Sequence, residues 1–327
     1  MMEALTPAAG RAETSRGAIW PALPLSEWAD TYATLHMWTQ VVGKVRLALA
    51  PMMNHWWQAP LYVTVRGLTT SPMPYGSESC SIDFDFIDHK LRMETSAGAS
   101  RTLDLAPRSV AAFYREVMDA LNSMDIHPRI WPVPVEVAEP IPFEQDHAHA
   151  SYDPDYANRH WRILRQASRV LTEFRARFTG KSSPVHFFWG SFDLSVSRFS
   201  GRRAPRHPSV PVMSDRITVP AYSHEVCSVG FWPGGYGFAD PAFFSYIYPT
   251  PAGYAEARVE PKAAVFSPAL GEFLLPYEAV RTAEDPDATL LTFAQSAYEA
   301  AANLAGWDRE TLEDRTCLEW VPETATL

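Results

Sequence analysis

PVHFFWGSFDLSVSRFSGRRAPRHP, residues 184–208, decides how this chain is read. Phe192, Leu194 and Val196 alternate with Asp193, Ser195 and Ser197, which is the pattern of a strand with one apolar and one polar face. On a regular strand His186 and Asp193 would point to opposite faces. A bulge at Gly190-Ser191 would bring His186, Asp193 and Ser195 onto one face. Arg198, Arg202, Arg203 and Arg206 follow as the densest positive patch of an acidic chain. Farther on, YSHEVCSVGFWPGGYG at 222–237 adds His224-Glu225 and a glycine turn that has no phosphate-loop pattern.

Outward from this stretch, the order of elements repeats. A helix is expected over Ser26–Ala50, capped by Ser26 and ended by Pro51, with Leu35, Val42, Val45 and Leu49 on its apolar side. Its stripe of Tyr32, His36, Gln40 and Lys44 reads as a solvated face, with a pocket wall as the alternative. A strand follows Pro60, and in the next strand Ile82, Phe84 and Phe86 face inward while Asp83 and Asp85 face outward. Pro107 is expected to open a second helix. Pro128, Pro132, Pro134, Pro140 and Pro142 then make 126–146 an extended connector. Asp153-Pro154 begins a long helix that stops before Gly180, and the strand after Pro184 follows it.

The separation from His36 to Tyr62 (62 − 36 = 26) equals that from His160 to His186 (186 − 160 = 26), with Pro60 and Pro184 in matching places. The segment from Leu105 to Val110 resembles that from Leu275 to Val280, and each leads into a helix. The expected fold is α+β: two divergent helix-strand-helix pseudo-repeats packed around a mixed or mainly antiparallel sheet. Residues 1–19 read as a mobile leader and 20–143 as the first pseudo-repeat with its connector. Residues 144–310 are the second, with an insertion at about 200–245, and 311–327 form a weakly held tail.

With 327 residues, 46% of them apolar, the chain can bury a sizeable core. A net charge of −10 spread along its length argues against nucleic acid as partner. No run is apolar enough for a secretory signal or a membrane span, and Cys80, Cys227 and Cys317 form neither a disulfide framework nor a zinc site. A cytoplasmic location is expected. Oligomeric state has no sequence signal.

The residues that could carry chemistry cluster in the second half. His186, Asp193, His224 and Glu225 are the candidate acid–base groups, and Arg202, Arg203, Trp189 and Trp232 the candidate substrate contacts. A divalent metal would be held by some of His160, His186, His224 and Glu225, although no established metal-ligand spacing is present. His224 and Glu225, being adjacent on a strand, would face opposite ways. Cys227 lacks any nucleophile signature and reads as buried and inert.

The runs WPALPLSEWADTYATLHMWTQVVGK (20–44), SPVHFFWGSFDLSVSRFSGRRAP (183–205) and YSHEV…GFWPGG (222–235) resemble those of a bacterial domain-of-unknown-function family of about this length. The resemblance runs from Trp20 to Trp307. It implies one full-length unit and brings no activity with it. Two functions remain open: an enzyme acting on a small anionic substrate, with or without a metal, or a non-catalytic ligand- or protein-binding module with a Trp- and Pro-rich surface.

Overall fold

The computed structural model describes residues 19–210, 213–235 and 240–313, which leaves nearly all of the expected leader and tail outside. Helix α1 (Leu25–Leu49) precedes six strands: β1 (Tyr62–Val63), β2 (Gly67–Thr69), β3 (Met73–Tyr75), β4 (Glu78–Asp85), β5 (Lys90–Thr95) and β6 (Ser100–Asp104). Helix α2 (Val110–Asn122) closes this half. After the connector come α3 (Pro154–Ala176), β7 (His186–Phe188), β8 (Asp193–Arg203), α4 (Asp215–Ala221), β9 (His224–Trp232) and β10 (Ala242–Tyr248). They are followed by β11 (Val265–Ser267), β12 (Glu272–Pro276), α5 (Tyr277–Arg281), α6 (Pro286–Leu304) and α7 (Arg309–Leu312).

The class is α+β, but there are two sheets, and every pairing in them is antiparallel. One runs β1-β2-β4-β5-β6 with β3 beside β4, and the other β11-β12-β10-β9-β8-β7. Their edges meet at one residue pair, where Leu61 and Phe187 exchange two backbone hydrogen bonds of 2.9 Å. Helix α3 ties both together. It packs on β8 and β9 and also reaches the first half, where Trp161 Nε1 donates to the Thr64 carbonyl and Asn158 to that of Phe86.

Several local expectations shift. Helix α1 starts one residue early, behind Pro24 and without a side-chain cap, while α2 starts at Val110 with Ser109 as its cap and Pro107 outside it. Asp153 caps α3 as its sequence suggests. Asp85 is buried with Arg66 and Arg92 both reaching its carboxylate, and against desolvation the Arg66 guanidinium and the N–H groups of Asp88 and Ile87 hold it down at about 2. The stripe read as solvated is buried throughout: Tyr32, His36, Gln40 and Lys44 are at most 7% exposed.

Candidate functional site

Cross-strand partners share a face of a sheet, so the register of the second sheet sorts its side chains. Leu194, Val196 and Arg198 pair with Phe231, Val229 and Cys227, and these with Phe243, Ser245 and Ile247. All nine are buried, and this inner face packs on α3 and α6. Arg198 belongs to it: its guanidinium lies 3.5 Å from the Phe174 ring centre and 4.3 Å from that of Tyr298 and donates to the Phe174 carbonyl. Cys227 is also there, its thiol pushed up to about 12 by burial.

The outer face carries the polar residues. Ser197, Ser228 and Tyr246 lie in one cross-strand row, with Ser197 Oγ and Ser228 Oγ 2.7 Å apart. Glu272 precedes Phe273, whose partner Ser245 precedes Tyr246, so Glu272 falls beside Tyr246. Asp193 opens β8 on this face and takes a hydrogen bond from the Ser191 hydroxyl. Tyr222, at the end of α4, stands over the row, its hydroxyl 3.1 Å from that of Tyr246. His207 stacks on Tyr222 at 4.5 Å and approaches Tyr248 at 4.8 Å, forming a rim.

Glu136 enters from the connector. Gln40 on α1 grips the backbone of Val135 twice, donating to its carbonyl and accepting from its N–H at 2.8 Å each. His36, one turn earlier, bonds the Gly190 carbonyl at 2.9 Å. Between these anchors Glu136 has a φ of +58°, uncommon outside glycine, and its Oε1 occupies the space that a Cβ on Gly190 would need. The buried stripe of α1 therefore positions Glu136 against the β7–β8 turn.

Electrostatics unite these groups. Desolvation, reinforced by the charge of Asp193, raises Glu136 and Glu272 to about 7 each. Asp193 itself is raised to about 6 by desolvation, against the Ser191 hydrogen bond. Tyr222 is raised by desolvation and feels Glu272, Asp193 and Glu136 together. All four residues are half-buried. Carboxylates brought near neutrality by desolvation can both give and take protons.

The expected site residues divide. His186 does share a face with Ser195, but through a hairpin turn in which Phe188 pairs with Asp193 and Phe192 takes φ +61°, not through a bulge. His186 is sealed beneath Trp57, Tyr62 and Phe188, and burial brings it down to about 3. His160 lies on the other side of the sheet with Phe187, Phe192 and Phe231, both ring nitrogens without a hydrogen-bond partner. His224 faces His55, whereas Glu225 takes Arg202 at 2.7 Å. Arg202 also donates to the Ala305 and Gly306 carbonyls at the end of α6, and Arg203 is exposed. Trp189 is buried, its Nε1 bonded to the Ala59 carbonyl, and Trp232 lies half-buried opposite Ala242. Among the described residues no three His, Cys, Asp or Glu side chains converge as a metal-binding set.

Glu136, Glu272, Tyr222 and Tyr246 escaped the sequence reading. The only advance signal was the α1 stripe, whose polar groups at one helical position per turn suit a wall that grips something.

None of the described helices is long and apolar enough to cross a membrane. No curated protein and no solved structure matches this chain. The sequence model of a family of unknown function, DUF5996, matches residues 20–314, and the chain belongs to that family.

Proposed function

We propose that the outer-face cleft holds a small cationic ligand, such as an amine, and moves a proton to or from it, with Asp193 as the principal base. The observation that carries this reading is the position of Tyr222. It joins the Tyr246 hydroxyl while lying in the field of Glu136, Asp193 and Glu272 at once. Tyrosine faces and carboxylates together recognise cations. A positive ligand would favour the ionised form of each carboxylate, so binding near neutrality would release protons. The arginines that suggested an anionic substrate support it less, since Arg202 is engaged with Glu225 and two carbonyls.

Calorimetry with putrescine, spermidine and choline, in two buffers of different ionisation enthalpy at pH 7, tests the reading. At least one probe should bind with proton release, and Asp193→Asn should reduce both the affinity and the protons released. Absence of binding by all three, or binding that Asp193→Asn leaves unchanged, overturns it.

A further inference from the structure

The chain has 28 Lys and Arg residues, yet its lysines are only Lys44, Lys90, Lys181 and Lys262. Lys44 is buried near Trp189, Lys90 pairs with Asp104, and Lys262 is an ordinary exposed side chain. Lys181 is exposed as well, but its contacts set it apart from all three. Its Nζ lies 2.7 Å from His55 Nε2 and over the rings of Trp57 and Phe199, at 5.2 Å and 5.0 Å. His55 is buried, with its Nδ1 2.9 Å from the Ala221 carbonyl, which makes Nδ1 the N–H and leaves Nε2 as an acceptor facing the amine. His224 stands 5.6 Å from His55 and pairs across strands with the exposed Arg203. Among the described residues no carboxylate forms an ion pair with Lys181, His55, His224 or Arg203.

We propose that Lys181 is a reactive amine that forms an imine with a small aldehyde or ketone bearing a carboxylate, with His55 as its proton acceptor and His224 and Arg203 holding the carboxylate. The neutral amine attacks the carbonyl carbon, a C–N bond forms, and the carbonyl π electrons pass to oxygen, which takes a proton. The cationic nitrogen gives its proton to His55 Nε2, and the resulting imidazolium keeps its Nδ1–H on Ala221. The proton that the carbonyl oxygen takes comes from solvent; the carbinolamine hydroxyl then takes the proton of the His55 imidazolium and leaves as water, and the iminium returns one proton to solvent, so amine plus carbonyl compound gives imine plus water with no redox change. Desolvation lowers Lys181 and His55 alike, which enlarges the fraction of free amine and keeps the ring neutral. An arginine here would stay charged and could not react.

The test incubates the full-length protein with glyoxylate and cyanoborohydride at pH 7.5 and maps the reduced adducts by peptide mass spectrometry, with Lys262 in the same digest as reference. Lys181 should be labelled faster, about tenfold for each unit by which its pKa is lowered. It should also be labelled faster by glyoxylate than by propionaldehyde. His55→Asn retains a residue type that tolerates the left-handed backbone at φ +57° and should slow Lys181 alone, with circular dichroism unchanged. Should that variant lose its fold, the pH profile of Lys181 labelling in the native protein, displaced below that of Lys262, serves in its place. Labelling of Lys181 no faster than Lys262 overturns the proposal. Equal rates with the two carbonyl compounds overturn the carboxylate assignment.

Discussion

His36 of α1 and His160 of α3 approach the same ring, that of Phe192, with centroid separations of 5.2 Å and 5.0 Å. Each half of the chain thus contributes one histidine to a junction at the β7–β8 turn. Burial holds the two histidines down at about 4 and about 3. The unfolded chain takes up protons near 6.5, before the folded protein does, so stability is fully present above that pH and falls as the pH drops through 6.5 toward 4. Each ring contributes about 1.4 kcal/mol per pH unit inside that window. His160→Phe removes one proton acceptor and two unpartnered nitrogens. Urea denaturation should find the variant at least as stable as the native protein at pH 7, and more stable by about 1–2 kcal/mol at pH 5.

The cleft carboxylates act in the opposite sense. Their folded values, about 6 for Asp193 and about 7 for Glu136 and Glu272, lie above the ordinary 3.8 and 4.5. Their contribution is therefore present at low pH and lost as the pH rises through 6 to 7. Asp193→Asn should stabilise the protein at pH 8 by about 1–3 kcal/mol and change little at pH 4, as read by denaturation at both pH values.

Two glycines should respond differently to alanine. At Gly230 a Cβ would collide with the Leu194 carbonyl and the Phe244 ring, so Gly230→Ala must force β8 and β9 apart. A loss of about 2–4 kcal/mol is expected. At Gly190 the colliding atom is the movable end of Glu136. Gly190→Ala should cost less, about 1 kcal/mol, while displacing that carboxylate and weakening amine binding in calorimetry.

Arg202 offers a control. Its bonds to Glu225, Ala305 and Gly306 join β8 to the end of α6, away from the carboxylate row. Arg202→Gln should lower stability by about 1 kcal/mol in thermal unfolding and leave amine binding unchanged.

Local chemistry makes part of the fold legible in the sequence. Asp153-Pro154 caps α3, and the Leu194/Val196 alternation sets the inner face of β8. What distant segments build together is not legible there. Asp85 reads as an outward carboxylate until Arg66 and Arg92 are seen around it. The α1 stripe reads as solvated because nothing local shows that the connector will lie across Gln40. Glu136 and Glu272 escaped because each is an ordinary glutamate whose proton affinity is set by the atoms packed round it, and those come from other parts of the chain.

The paired hydrogen bonds between Gln40 and Val135 also bear on the order of folding. Glu136 is held by a residue of the first half and seated on a glycine of the second, so its elevated proton affinity arises only once both halves and the connector have docked. Near pH 6 that docking draws protons from solvent while burial of His36, His160 and His186 releases them, so the difference between native and Glu136→Gln refolding, followed with an indicator dye in stopped flow, would time the completion of the cleft separately from the formation of helices.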